Sequence, residues 1–192
     1  HFARGEDYEG AFRHFDRAGD EAARLSAGVE ARRHFTAALA ALDRAGGGDE
    51  NRRRRIDTVI KKASVSAMVD PAENLLLLEG AEAAAQELAA ALAAPADRRR
   101  LARVHFWMGR AHWYRGAYPE AARYFRSVLD VAEEVGDEAL AALPSSTIGR
   151  LLVVQGDFVG GAPLLARALG SLAGVESVTE WILNAGFLGI AL

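Results

Sequence analysis

The segment that decides the fold reads WMGRAHWYRGAYPEAARYFRSV and spans residues 107–128. Its pattern of small and large apolar residues returns 40 residues later and begins a third time near the C-terminus. The glycines that mark the three occurrences stand at positions 109, 149 and 189. A fixed period of this length is typical of helix hairpins that stack on one another. We therefore expect an all-α protein in which successive hairpins bury their apolar faces against each other.

The small residues of the pattern predict where two helices approach closely. Gly109 falls on the first helix of a hairpin, where a side chain would hold the partner helix away. Ala121 falls on the second helix at the closest approach, and Phe125 fills the space one turn later. The corresponding packing positions farther along the chain are Gly149, Gly161, Ala168 and Gly189.

Residues 102–135 and 142–175 resemble tetratricopeptide repeats, and residues 181–192 resemble the first half of another. The period exceeds the standard repeat of about 34 residues, so each repeat should contain extra helical turns or a longer connection. This longer form is similar to the repeats that follow the ATPase module of bacterial signalling ATPases, nucleotide cyclases and maltose-regulator-like activators. The resemblance implies a right-handed solenoid of about ten helices, a single domain over residues 1–192 that is an excerpt of a longer protein.

The composition agrees with a helical, cytoplasmic protein. Helix formers dominate and strand formers are sparse. The net charge of −3 gives no global attraction to nucleic acid or to an anionic membrane, and the chain has no cysteine for a disulfide or a thiolate metal site. The apolar run over residues 181–192 is shorter than the roughly 20 residues that span a bilayer. We expect no nucleic-acid partner, no membrane partner and no cofactor.

Capping and breaking residues predict where the helices begin and end. We expect Asp70 and Asp97 each to cap the helix that follows it. We expect Pro144 to separate a short turn from the next helix, and the pair Gly160 and Gly161 to delay the start of the one after. The predicted helices cover residues 8–18, 20–26, 29–44, 51–69, 72–93, 98–115, 118–135 and 144–155.

No residue pattern indicates catalysis or metal binding. His105 and His112 lie on one helix face but about 10.5 Å apart along its axis, too far to bind one ion together. The arginine runs 52–55 and 98–100 could contact phosphate. We interpret them instead as helix starts paired with acidic neighbours, because four successive helical positions point in all directions. We therefore predict no catalytic residue and no metal ligand.

The remaining candidate is an inner groove. In tetratricopeptide families the first helices of successive hairpins line the concave surface. Carried over to this chain, those positions are Arg103, Phe106, Arg110, Trp113, Leu143, Ser146, Arg150 and Val153. The equivalent residues Arg110 and Arg150 should stack in neighbouring hairpins, and forked cations beside aromatic faces suit an acidic peptide or a C-terminal carboxylate. The alternative is that these residues pair with acidic side chains of adjacent helices or lie against another domain.

The leading hypothesis is a protein–protein interaction or regulatory segment of a larger bacterial signalling protein. Its partner would be a protein or peptide, including other domains of the same polypeptide. One alternative is a small-molecule-sensing regulatory domain of a transcription activator or signalling ATPase. A helical enzyme is the remaining alternative, for which no group of residues argues.

Overall fold

The computed structural model describes residues 7–92, 94–172 and 178–192. Within these ranges it is all-α, as predicted, with nine helices where about ten were expected and with no strand. None of the described helices combines the length and apolar character needed to cross a bilayer. The helices are α1 Tyr8–Arg24, α2 Gly28–Ala45, α3 Asp49–Ser66, α4 Pro71–Leu92, α5 Pro95–Tyr114, α6 Tyr118–Val135, α7 Glu138–Val154, α8 Phe158–Leu172 and α9 Val178–Ala191.

The chain divides after Tyr118 into two compact units. In the first unit each helix from α1 to α5 packs on the next, and α3 also packs on α5. In the second unit α7 packs on α8, α8 packs on α9, and α7 also contacts α9. Each unit therefore combines contacts between consecutive helices with contacts between alternate helices. The single domain over residues 1–192 stays a prediction.

Four pairs of consecutive helices share one spacing of buried residues. Each set has members 12, 16 and 19 residues after its first, and all sixteen residues are buried. The sets are Gly19, Ala31, Phe35 and Ala38; Lys62, Asn74, Leu78 and Ala81; Gly109, Ala121, Phe125 and Val128; and Gly149, Gly161, Leu165 and Ala168. The sequence analysis recognises the third and fourth sets.

The first and fourth sets bring two helices into close contact. A Cβ on Gly149 would lie 2.8 Å from Leu165 Cγ, and a Cβ on Gly161 would lie 2.9 Å from the carbonyl oxygen of Gly149. A Cβ on Gly19 would overlap the ring of Phe35. Because ordinary non-bonded carbon contacts are about 3.5–4.0 Å, only glycine fits these positions in the observed packing.

Two predictions concern the C-terminal part of the chain. Among the residues described, no atom outside its own stretch of helix lies within 4 Å of the Gly189 Cβ position. Residues 173–175, which end the predicted repeat 142–175, lie outside the described residues, as do the side chains of residues 181–184.

Of the two predicted caps, one is confirmed. The Asp70 carboxylate accepts a hydrogen bond of 3.0 Å from the Glu73 N–H, and α4 begins at the next residue, Pro71. The prediction for Asp97 is wrong. α5 begins at Pro95, and Asp97 lies in its first turn, where arginine side chains bind it.

Three breaks predicted within the chain are absent. α7 continues through Pro144 from a cap at Asp137, because the proline and the residues that follow it are buried and their packing holds the helix. α8 begins at Phe158 despite its glycine pair, with the Asp157 carboxylate accepting a 2.9 Å hydrogen bond from the Gly160 N–H. α1 is one helix and not two, since Gly19 serves close packing there and does not end the helix.

Candidate functional site

Four consecutive arginines on α3 reach four different helices. Successive helical positions point about 100° apart, so the side chains diverge around the helix. Two of the ion pairs reach forward along the chain, from Arg52 to Glu87 on α4 (3.6 Å) and from Arg53 to Asp97 on α5 (3.0 Å). The other two reach back, from Arg54 to Glu9 on α1 (2.8 Å) and from Arg55 to Asp43 on α2 (3.1 Å). The interpretation of residues 52–55 as paired helix-start residues is confirmed, and α3 lies at the centre of the first unit.

A buried carboxylate joins α3 to α5. The Asp97 side chain is 2% exposed and accepts two hydrogen bonds of 3.0 Å from Arg53 and one of 2.8 Å from Arg100. The hydrogen bonds from Arg53 hold the pKa of Asp97 below its usual value, against the effect of burial. Arg100 also donates to Asp57 on α3, at 3.1 Å, so the two helices are joined at two levels.

A lysine makes the matching connection from α3 to α1. Lys61 Nζ lies 2.9 Å from Asp16 Oδ2 and 2.8 Å from Asp20 Oδ2. Although desolvation opposes the charge of Lys61, its hydrogen bonds to Asp20 and Asp16 raise its pKa above the ordinary value. The Lys61 ammonium group therefore connects α3 to two carboxylates of α1.

The bridges to α1 and α5 leave a partly exposed side of α3 between them. Arg54, Asp57 and Lys61 lie on it at spacings of three and four residues, with side chains 33%, 34% and 30% exposed. We define the first-helix face as this side of α3 together with the side chains of α1 and α5 that contact Arg54, Asp57 or Lys61. It carries both charges and is formed by alternate helices of the first unit.

Two predicted groove arginines lie on α5. Arg103 belongs to the first-helix face, since its Nη1 lies 3.9 Å from Asp57 Oδ1 and its side chain is 51% exposed. Arg110 follows two turns later. Its guanidinium lies 5.1 Å from the centre of the Tyr114 ring, and Nη2 donates a hydrogen bond to the tyrosine hydroxyl. Its Nε is buried and has no hydrogen-bond partner among the described residues.

The predicted aromatic residues of α5 contact other rings. Phe106 meets Trp107 edge-on with ring centres 5.2 Å apart, and Trp113 meets Tyr118 edge-on at 5.0 Å. All four rings remain partly exposed, or in the case of Tyr118 exposed. α5 therefore offers aromatic surface beside its arginines, and the sequence analysis included only Phe106 and Trp113 of this set.

The predicted groove residues of the second unit differ in accessibility. Ser146 and Val153 on α7 are buried, so neither can meet a ligand on the surface. The side chains of that part of α7 pack inside the unit, which the repeat alignment alone does not reveal. Leu143 is exposed and Arg150 is half-buried. The expected stacking of Arg110 on Arg150 would join the two units and stays a prediction.

A histidine of α5 contacts a neighbouring helix. His105 Nε2 lies 3.0 Å from Glu82 Oε1, which connects α5 to α4. Across the described parts of the chain, no three histidine or acidic side chains converge as metal ligands would.

A scan of the chain against protein-family models gives no match, and a search of the curated proteins gives none either. The functional proposal therefore rests on the geometry of the chain itself.

Proposed function

We propose that the chain is a tetratricopeptide-like stack of hairpins that serves as a protein-interaction or regulatory segment of a larger, cytoplasmic bacterial signalling protein. One observation carries this proposal: α1, α3 and α5 are joined side by side by ion pairs. Four of these pairs connect residues 43 to 45 positions apart in the chain. In a stack of repeats, equivalent helices follow one another at the repeat period, and a spacing of this size supports such a stack.

The ligand that best suits α5 is an extended peptide with two carboxylates. Arg103 and Arg110 are seven residues apart, so their positions are separated by about 10.5 Å along the helix. Three residues of extended chain span about 10 Å. A peptide with an acidic side chain three residues before its C-terminal carboxylate would therefore match both arginines.

The chemistry of the two arginines favours carboxylate capture. A guanidinium has five N–H donors and binds a carboxylate through two parallel hydrogen bonds. Arg103 lies 3.9 Å from Asp57, and Arg110 donates one hydrogen bond to a tyrosine hydroxyl. Both therefore retain donors for a ligand, and Phe106 and Trp107 supply partly exposed rings between them.

The test is fluorescence anisotropy with a labelled hexapeptide that has Asp three positions before a free C-terminal carboxylate. We expect saturable binding, and at least tenfold weaker binding of the C-terminal amide, which corresponds to about 1.4 kcal/mol. Arg110→Gln should weaken binding of the free acid. Arg115→Gln is the matched control, because Arg115 is exposed just beyond the end of α5 and its loss changes the charge equally. Equal binding of acid and amide, or equal loss in both variants, would contradict the proposal.

The second candidate function is small-molecule sensing. It is favoured by one observation, a charged cavity of about 420 Å³ between α2, α3 and α4 that contains a buried lysine.

A further inference from the structure

A lysine occupies a helix-contact position where the α1–α2 and α7–α8 pairs have glycine. The first members of the four buried sets are Gly19, Lys62, Gly109 and Gly149. Lys62 is 4% exposed, and its counterpart 12 residues later is the equally buried Asn74. A buried ammonium group destabilises the fold unless an anion pairs with it. The α3–α4 pair therefore differs from the glycine-containing pairs, because its buried lysine must have an anionic group beside it.

That partner lies in an open cavity. The cavity has a volume of about 420 Å³, and the residues that line it are Arg32, Arg33 and Thr36 on α2, Lys62 on α3, and Asp70 and Glu73 at the start of α4. Three cations thus face two carboxylates, and the lining contains no aromatic or aliphatic residue. A ligand of this cavity must be small and polar, since it would find charged groups and a hydroxyl around it.

Glu73 is the present partner of the buried lysine. Its Oε1 lies 2.7 Å from Lys62 Nζ, and its Oε2 lies 4.0 Å from Arg32 Nη1. The Glu73 side chain is 41% exposed whereas that of Lys62 is 5% exposed. The Glu73 side chain can therefore rotate toward the solvent and stay hydrated. The Lys62 ammonium group stays buried and still requires a hydrogen-bond acceptor. The carboxylate occupies the place that another anion could take.

The charge left after Glu73 turns away selects the ligand. Arg32, Arg33 and Lys62 would then face Asp70 alone, which leaves a net charge of about +2 at neutral pH. Arg33 is exposed and makes no ion pair with a carboxylate among the residues the structure describes. A phosphate dianion matches this charge, and its oxygens can accept hydrogen bonds from the guanidinium groups and the ammonium group together.

We propose that this cavity binds a small phosphate anion, either free phosphate or the phosphoryl group of a small metabolite, which displaces Glu73 from Lys62. The site lies away from Arg103 and Arg110 on the chain and does not depend on peptide binding. It would make the first unit responsive to a phosphorylated small molecule. When the anion binds, it replaces the Glu73 carboxylate as the hydrogen-bond acceptor of Lys62 between α2, α3 and α4.

The test is calorimetric titration of the full chain with inorganic phosphate at constant ionic strength, repeated with glycerol 3-phosphate. We expect saturable binding that Arg33→Gln weakens at least fivefold and that Glu73→Gln strengthens, because the competing acceptor becomes neutral. Arg126→Gln, at an exposed arginine on α6, is the matched control and should leave the affinity unchanged. Tighter binding of glycerol 3-phosphate indicates a metabolite, and tighter binding of phosphate indicates the free ion.

A thermal-shift series separates binding from folding. Because Glu73→Gln weakens the pairing of a buried lysine, this variant should unfold at a lower temperature without ligand and should gain more from added phosphate than the wild type does. Absence of phosphate binding, equal effects of Arg33→Gln and Arg126→Gln, or weaker binding by Glu73→Gln would overturn the proposal.

Discussion

The backbone of Gly149 leaves no room for a side chain on Gly161. A Cβ placed on Gly161 would lie 2.9 Å from the Gly149 carbonyl oxygen and 2.8 Å from Val153 Cγ2. α7 and α8 therefore touch through backbone atoms at this level. The same two positions of the α3–α4 pair hold the polar residues Lys62 and Asn74, both of which are buried.

We predict that Gly161→Ala destabilises the chain by about 1–3 kcal/mol, because the added methyl group must push α7 and α8 apart. The measurement is chemical denaturation followed by circular dichroism. Gly170→Ala is the control on the same helix, since no described atom outside that part of the helix lies within 4 Å of its Cβ position. There, alanine should stabilise by about 0.5–1 kcal/mol. Unchanged stability in Gly161→Ala would refute the tight contact.

The paired carboxylate of Asp97 predicts a dependence of stability on pH. Because the folded-state pKa of Asp97 lies below its unfolded value, this group stabilises the fold above about pH 4. The contribution is lost as the pH falls through the lower folded-state pKa. Asp97→Asn should therefore cost about 1–3 kcal/mol at pH 7 and progressively less in acid. Urea denaturation of both proteins across this pH range measures the difference.

Glu138→Gln provides the comparison for an exposed pair. Glu138 and Arg167 lie 3.0 Å apart, but their side chains are 67% and 35% exposed. Losing this pair should cost less than about 1 kcal/mol. If Asp97→Asn lowers the free energy of unfolding by an equally small amount, or by an amount that does not change with pH, the buried pair does not stabilise the fold as described.

The hydroxyl of Ser145 predicts a stabilising substitution. Ser145 is fully buried, and its Oγ has no hydrogen-bond partner among the described residues. Ser145→Ala should therefore raise stability by about 1 kcal/mol, because an unsatisfied polar group is removed. Thr147→Val is the control, since Thr147 Oγ1 donates a 3.0 Å hydrogen bond to the Leu143 carbonyl oxygen. A melting temperature lowered by Ser145→Ala would argue against an unpaired hydroxyl.

The sequence predicted one helix start that depends on neighbouring residues, that of α4, and missed the similar caps Asp137 and Asp157. Asp70 caps α4 because its carboxylate needs only the N–H three residues away. Asp97 was also predicted to be a cap, but its carboxylate binds Arg53, 44 residues earlier in the chain. A sequence pattern does not show which of these partners is present, since the second depends on how α3 packs on α5.

The repeat pattern was predictable only where small residues mark it. The third and fourth buried sets begin with glycine and were recognised. In the second set, Lys62 replaces glycine and Asn74 replaces a small residue, so a search for small residues passes over it. The same replacement produces the charged cavity. Arg103 was predicted for the candidate site, whereas Lys61 of the first-helix face was not, because its role depends on acidic residues of another helix.

The account depends most on alternate helices lying side by side at the repeat period. The chain has no cysteine, so two introduced cysteines would be the only thiols, and their cross-linking reports the distance between the two helices that carry them. Asp16→Cys with Lys61→Cys places one thiol on α1 and one on α3, at residues whose charged atoms lie 2.9 Å apart. Asp16→Cys with Arg52→Cys is the control, because Arg52 reaches toward α4.

The deciding measurement is the rate at which a short bismaleimide cross-links each cysteine pair within a single chain. The account predicts fast cross-linking of the 16–61 pair in native protein, slow cross-linking of the 16–52 pair, and loss of the difference in urea. Equal rates for the two pairs in native protein, or no intramolecular product from the 16–61 pair, would contradict it.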